Sequence, residues 1–377
     1  MDTHDDTLSL LRDSLRRYVE KEIVPKAAAW EEQGFVPREV LRDMGRMGFL
    51  GLRYAEEHGG GALDARATAL LAEELGRSTF GGFAITVLVH TDMASPHLVN
   101  AGSPAQVAKY LPAIIAGEKI TAVAVTEPDA GSDVKSIRTS ARREGNEWVL
   151  KGTKMFITNG ALADLYFVAA KTDPAAGSKG LSIFIVEKGM PGFSVGRKLD
   201  KMGWRASDTA ELVFDGCRVP AENLLGEENR GFYAIMKNFQ NERMAIASMA
   251  MGEAAKALEL TLEYVRTRKA FGAPLWDKQA IRQRLSMLAA RVEAGRQLVR
   301  RCAELDAAGR DCVKEVSMAK AYCAELLNEV VYDCLQFHGG FGYIRESAIE
   351  RMYRDARVQT IGGGATEVML EEVAKRL

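Results

Sequence analysis

The chain reads as a mainly helical protein with a β-domain inserted between two helical parts, and three observations predict this. Apolar residues recur at helical spacing through the first ~120 positions, give way to short β-rich runs up to Pro220, and return to helical spacing after Gly226. The boundaries that follow are an N-terminal helical domain over 1–119, a middle β-domain over 120–222 and a C-terminal helical bundle over 223–377. A chain of 377 residues exceeds the size at which one core keeps growing, so several domains are expected.

The first helix is marked by Leu8, Leu11, Leu15, Val19 and Ile23, with Pro25 ending or kinking it. Positions 37–47 and 65–75 continue the helical pattern, and Glu57-His58-Gly59-Gly60-Gly61 between them is a loop by composition. Ser103-Pro104 is an N-cap followed by a first-turn proline, opening a helix that carries Val107, Leu111 and Ile115. Strands are predicted at 120–125, 148–150, 165–170, 181–186 and 210–214. Turn signals at Gly145-Asn146, Asp173-Pro174 and Lys188-Gly189 give these runs the pattern of a compact antiparallel barrel or sandwich. Beyond them, Ala247, Met251, Ala254, Leu258, Leu262 and Val265 line one face of a long helix, and helical patterning persists through 280–305, 313–334 and 368–377.

Bulk properties exclude several function classes. Hydrophobic content of 47% with 27% charged residues is ordinary globular composition, and a net charge of -1 gives no electrostatic reason to expect nucleic acid or an anionic membrane. Five cysteines without CxxC spacing are expected to be reduced, buried thiols. Met1-Asp2-Thr3-His4-Asp5-Asp6 lacks a basic-then-apolar leader and no apolar run could span a bilayer, so the expected location is cytoplasmic. No metal site is expected, and His338, without a nucleophile or metal-spaced partner, is expected to be structural.

Candidate chemistry begins at Thr126-Glu127-Pro128-Asp129-Ala130-Gly131-Ser132-Asp133, where an apolar strand breaks into a loop whose glycine lets backbone amides approach a ligand beside hydroxyls from Thr126 and Ser132. Taken alone it reads as a surface turn rich in Asp and Gly. Gly339, Gly340 and Gly342 allow either a helix-to-helix turn or amides that meet a pyrophosphate, but with helix before them and no βαβ unit they form no Rossmann fingerprint. Glu242 taken alone reads as a solvated acid in the first turn of a helix, where the dipole favours it.

Five stretches in the same order resemble the acyl-CoA dehydrogenase family of flavoproteins. They are the loop just described with Phe156-Ile157-Thr158-Asn159; Met202-Gly203-Trp204-Arg205-Ala206-Ser207-Asp208-Thr209; Arg268-Lys269-Ala270-Phe271-Gly272 with Gln279; Gln336-Phe337-His338-Gly339-Gly340-Phe341-Gly342 running on to Arg354-Asp355; and Ile361-Gly362-Gly363-Gly364-Ala365-Thr366-Glu367. The resemblance implies an N-terminal helical domain, a middle antiparallel β-barrel and a C-terminal four-helix bundle. It also implies FAD, held by Thr126, Ser132, Phe156 and Thr158 within the subunit and by Arg268, Phe271 and Gln279 across a dimer interface. Gln336, Gly339, Gly340 and Glu367 are further expected cofactor contacts. At Ala270 some relatives carry a hydroxyl that could bond the cofactor.

The same resemblance implies removal of the α-proton from an acyl thioester and transfer of the β-hydrogen to the flavin, as in fatty acid β-oxidation. Many relatives place the basic glutamate where this chain has Gly363; the long-chain and isovaleryl types place it just before an arginine on another helix, here Glu242-Arg243. The expected catalytic residues are therefore Glu242 as base and Gly363 as an amide donor to the thioester carbonyl, with Arg243 binding substrate. Expected partners are an acyl-CoA or acyl-carrier-protein thioester, an electron-transferring flavoprotein, and further copies of the chain in a homodimer or homotetramer. An oxidase or flavin monooxygenase of the same superfamily, or a non-catalytic flavin-bearing protein, are the alternatives.

Overall fold

The computed structural model describes residues 3–377. Seven helices form the N-terminal part: α1 (Thr3–Tyr18), α2 (Val24–Gln33), α3 (Arg38–Arg46), α4 (Ala65–Gly76), α5 (Gly81–Leu88), α6 (Pro96–Ala101) and α7 (Pro104–Ile115). Leu15, Val19 and Ile23 are buried as one stripe. Pro25 does not stop the chain's helical course, because a π-helical turn over Val19–Ile23 leads into α2 and places the proline in its first turn, where no N–H is missed. Ser103 and Gln106 close a reciprocal capping box on α7.

The middle part is one eight-stranded sheet built from β1 (Thr121–Ala124), β2 (Ser140–Glu144), β3 (Glu147–Thr158), β4 (Leu165–Lys171), β5 (Leu181–Glu187), β6 (Phe193–Lys198), β7 (Thr209–Pro220) and β8 (Leu224–Leu225). Its order is β6-β7-β3-β2-β4-β5-β8, with β1 beside β4. The expected antiparallel β-barrel is therefore corrected to an open, mixed sheet: β1 pairs parallel to β4, and the path ends at β6 and β8, which do not meet. Physically, β6 alternates outward charge such as Arg197 and is mostly exposed, while β8 has two residues, and such edges resist closure.

Three long helices follow: α8 (Gly231–Thr267), α9 (Gln279–Ala307) and α10 (Val313–His338), with the short hairpin β9 (Lys269–Ala270) and β10 (Ala273–Pro274) between the first two. Around these three long helices of the C-terminal helical domain, the short α11 (Ala348–Ala356) and α12 (Thr366–Ala374) pack along α10. Their shared core carries Met251, Leu258, Leu288, Val292, Leu327 and Val330. α8 also packs on α4 near its middle, where Ser248 bonds the Ala69 carbonyl and Gly252 lies against Glu73, and so joins the two helical parts. All five cysteines are buried and unbridged. Among the described residues no helix is long and apolar enough to cross a membrane.

Candidate active site

The first motif is anchored from below. Glu127 is buried and accepts hydrogen bonds from the Arg138 amide (2.6 Å), the Thr139 amide (2.9 Å) and Lys154 Nζ (2.8 Å). Burial alone would raise its pKa, but the Lys154 charge and these donors outweigh burial and hold it below the usual carboxylate range. Lys154, with no exposed surface, also donates to the Val125 carbonyl at 2.9 Å, so the head of the 126–133 loop is tied to β3. Thr126 at the head of the loop is half-buried, while Gly131 and Ser132 are exposed at its tip, with no atom within 4 Å of where a Gly131 Cβ would stand.

Two residues further along β3, Phe156 lies in a register shift with φ +60°, its ring 64% exposed despite its size. A bulky residue at positive φ is strained, and here the strain presents an aromatic face beside Thr158. Thr158 pairs with Thr209, and the Asn159 amide donates to the Asp208 carbonyl at 3.0 Å, so the second motif lies directly against the first. Asp355 accepts from the Trp204 amide at 2.6 Å and the Gly81 amide at 3.1 Å, joining the Arg354-Asp355 motif to α5. Asn159 Nδ2 donates to the Thr86 carbonyl (3.0 Å), leaving Asn159 Oδ1 and the Trp204 indole N–H buried without a partner among the described residues. An exposed aromatic face, unpaired buried polar groups and open backbone amides in one region fit a planar, polar, phosphate-bearing cofactor such as FAD.

Glu242 is three turns into α8 rather than in its first turn, and it is 7% exposed rather than solvated. Burial pushes its carboxyl up to about 7, opposed by the Asn238 amide and the Arg243 charge. Asn238 Nδ2 donates to Glu242 Oε1 at 2.9 Å and to the Met93 carbonyl at 2.7 Å. Met93 and Thr86 belong to one continuous helical stretch, about 10 Å apart along it, so Glu242 and the Thr158 segment are fastened to neighbouring points. The 361–367 loop crosses the same face of α8: a Cβ on Gly363 would press on Ile246 Cδ1 closer than side-chain carbons approach, and one on Gly364 would sit 3.7 Å from Arg243 Nε. Ile246 is one turn beyond Glu242, so Gly363 lies about 6 Å along the helix axis from the carboxylate's own residue. Lys320 of α10 holds this loop by donating to the Gly364 carbonyl. Arg243 is buried with its guanidinium 5.4 Å over the Phe239 ring and its Nε without a partner among the described residues.

A second group of predicted residues collects elsewhere. Arg268, Phe271 and Gln279 are exposed where α8 ends and α9 begins, Phe271 at 96%. Gln336, Gly339 and Gly340 are exposed at the end of α10, and this turn is tied to the last turns of α8 by the Tyr264 hydroxyl bonding the His338 carbonyl at 3.2 Å. His338 is buried, bonds the Cys334 carbonyl through Nδ1 at 2.8 Å and stacks on Tyr264 at 4.3 Å, a structural arrangement. Arg268 stands about 40 Å along α8 from Glu242. Glu367 is exposed in the first turn of α12, on the loop side.

The chain was also compared with known proteins. Family models described as the acyl-CoA dehydrogenase N-terminal, middle and C-terminal domains match residues 5–118, 122–217 and 229–377. The long-chain specific acyl-CoA dehydrogenase, mitochondrial, of Mus musculus is 43% identical over 98% of this chain and 86% of its own. The chain belongs to the acyl-CoA dehydrogenase family. Its members are flavoprotein oxidoreductases, and this chain is an FAD-dependent oxidoreductase of that kind. The crystal structure of an acyl-CoA dehydrogenase from Geobacillus kaustophilus superposes with a TM-score of 0.95 at 39% identity, covering 100% of this chain and 98% of that one. A glutaryl-CoA dehydrogenase from Mycobacterium smegmatis in complex with FADH2 superposes with a TM-score of 0.92 at 30% identity, covering 100% of this chain and 94% of that one.

Three residues that position the site were not singled out in the sequence: Asn238, Lys154 and Lys320. Lys320 carried a legible signal, a lysine among Val316, Ala319 and Cys323 on the apolar face of α10. Asn238 carried none beyond its spacing of one turn from Glu242.

Proposed function

We propose that this protein converts an acyl-CoA thioester to the trans-2-enoyl-CoA with Glu242 as general base, passing electrons on to an electron-transferring flavoprotein. The observation that carries the reading is Glu242 itself, a buried carboxyl raised to about 7 on the helix face crossed by the Gly363 loop. A general base works best with a pKa near the operating pH, and a carboxyl at its ordinary value would be too weak to compete for a proton α to a thioester. Asn238 occupies Oε1, leaving Oε2, to which no hydrogen bond is made among the described residues, as the oxygen that accepts the proton. The Gly363 amide is the donor suited to the enolate oxygen as charge develops there. Arg243, a buried cation with an unpaired N–H, suits the polar part of the thioester.

FAD would be held by Thr126, Ser132, Phe156 and Thr158 of one subunit, with Arg268, Phe271, Gln279, Gln336, Gly339 and Gly340 supplied by a second copy and Glu367 nearby. The 96% exposure of Phe271 at the far end of α8, about 40 Å along the helix from Glu242, supports that division. When bound, FAD supplies the acceptor for the β-hydrogen and its electron pair, so that loss of the α-proton to Glu242 leaves a carbon–carbon double bond. An anaerobic titration with acyl-CoA thioesters of graded chain length, followed by flavin bleaching, tests the reading. Bleaching by a thioester with slow reoxidation in air is the expected result. Rapid reoxidation identifies an oxidase or monooxygenase instead, and no bleaching by any thioester identifies a non-catalytic flavoprotein.

A further inference from the structure

We propose that Asn238 is a positioning residue for the base: its side-chain amide, locked in one orientation by the Met93 carbonyl, presents an N–H to Glu242 Oε1 and so favours the ionised carboxylate inside a buried site. The inference rests on the reading of Glu242 as base. Its geometry is independent of that reading. Asn238 is 2% exposed, and its Nδ2 lies 2.7 Å from the Met93 carbonyl, 2.9 Å from Glu242 Oε1 and 3.4 Å from His97 Nε2. An amide nitrogen carries two hydrogens, so the two short contacts take both and the imidazole is left as a distant third. Rotating the amide by half a turn would set its oxygen against the Met93 carbonyl, acceptor against acceptor, with no water to relieve it. The N–H toward Glu242 is therefore imposed by the backbone of the facing segment.

A donor of this kind stabilises the charged carboxylate and not the neutral acid's hydroxyl, so it opposes what burial does. The other charged groups around the pair are few. On α8 itself there is Arg243, adjacent to the base. From the facing segment come His97, pushed down to about 4 by burial and therefore neutral, and Asp92, raised to about 6, whose backbone carbonyl bonds Asn241 at 2.6 Å. Beyond Arg243, from the C-terminal helices, stand Lys320, Glu372 and Arg376. None of these hydrogen-bonds Glu242 among the described residues, which leaves Asn238 as its one side-chain donor.

The test uses the FAD-loaded enzyme and the pH dependence of anaerobic flavin reduction by a saturating acyl-CoA. Asn238→Leu and the smaller Asn238→Ala both remove the donor without adding a charge, and in both the acidic limb of the profile should move up by about one pH unit, so that reduction slows about tenfold on that limb and recovers at higher pH. A merely structural role would lower the rate equally at every pH. The group with Lys320 titrates in parent and variants alike and cancels in the comparison. A second readout needs no turnover: the infrared carboxylic-acid band that Glu242→Gln removes should disappear at a higher pH in Asn238→Leu than in the parent. An unmoved limb and band would overturn the role of Asn238 even if Glu242→Gln abolishes reduction. If instead Glu242→Gln reduces its flavin at the parent rate while the band still moves, the pairing stands and Glu242 is not the base.

Discussion

Moving the base from α8 to the C-terminal loop probes the geometry of the site more sharply than deleting it. Glu242→Gln keeps size and hydrogen bonding but removes basicity, and flavin reduction should fall by about two to four orders of magnitude. Gly363→Glu in that background offers a carboxylate from the facing loop, but two features oppose it. Gly363 has φ +65°, which costs a side-chain-bearing residue about 1–2 kcal/mol, and its new Cβ would drive into Ile246 Cδ1, which is buried and has little room to turn aside. Ile246→Val removes that δ-carbon and leaves Cγ1, which stands at an ordinary 3.8 Å, for about 0.5–1.5 kcal/mol of lost packing. The combined cost of about 1.5–3.5 kcal/mol is tolerable for a domain stable by about 5–15. Because a misplacement of about 1 Å can cost a hundredfold, the double variant should recover little, and the triple variant should reduce its flavin about ten to a hundred times faster than the double. The assay is anaerobic stopped-flow absorbance at saturating acyl-CoA. Equal rates in double and triple variants would refute the packing argument, and an undiminished rate in Glu242→Gln alone would remove Glu242 as the base.

Three further outcomes are expected. Arg268→Ala should weaken FAD retention and self-association together, read by flavin content and sedimentation velocity; a parent protein that is monomeric yet holds FAD tightly rules out the shared site. Thr158→Ala should leave FAD bound but slow its reduction about fivefold, the equivalent of one neutral hydrogen bond of about 1 kcal/mol, and an unchanged reduction rate counts against a Thr158 contact with the flavin. Glu242→Gln should also be the more stable protein at neutral pH. The folded carboxyl, near 7, lies above its ordinary 4.5, so between those values the folded state keeps a proton that the unfolded state has lost, and stability falls as pH rises. The variant should match the parent near pH 4 and exceed it above pH 7 by on the order of 3 kcal/mol, measured by urea denaturation; superimposable stability profiles would show that Glu242 is not buried in solution.

Much of the architecture was legible because it depends on patterns that neighbouring residues impose. The apolar stripe of Leu15, Val19 and Ile23, the capping box at Ser103, and the runs that became β4 and β5 are local, and each is buried as its period requires. The strand β2, Ser-Ala-Arg-Arg-Glu, escaped notice because it is held by hydrogen bonds to β3 while most of its side chains face water. Strand character in such segments comes from the partner, and no hydrophobic alternation advertises it.

The sequence alone determined the order of helix, sheet and helix and the set of motifs, because periodicity and glycine or proline punctuation act over a few residues. Only the tertiary structure decided that the sheet stays open, since closure depends on which edges can meet. It also decided the state of Glu242. In the chain that residue is an acid among polar neighbours, Gln240 and Asn241 on one side and Arg243 on the other. In the fold, packing of α8 against the Val89–Ala94 turn removes water from it, and the Met93 carbonyl turns Asn238 toward it. A carboxyl's basicity is set by what surrounds it in space, and those surroundings come from segments more than a hundred residues away in sequence.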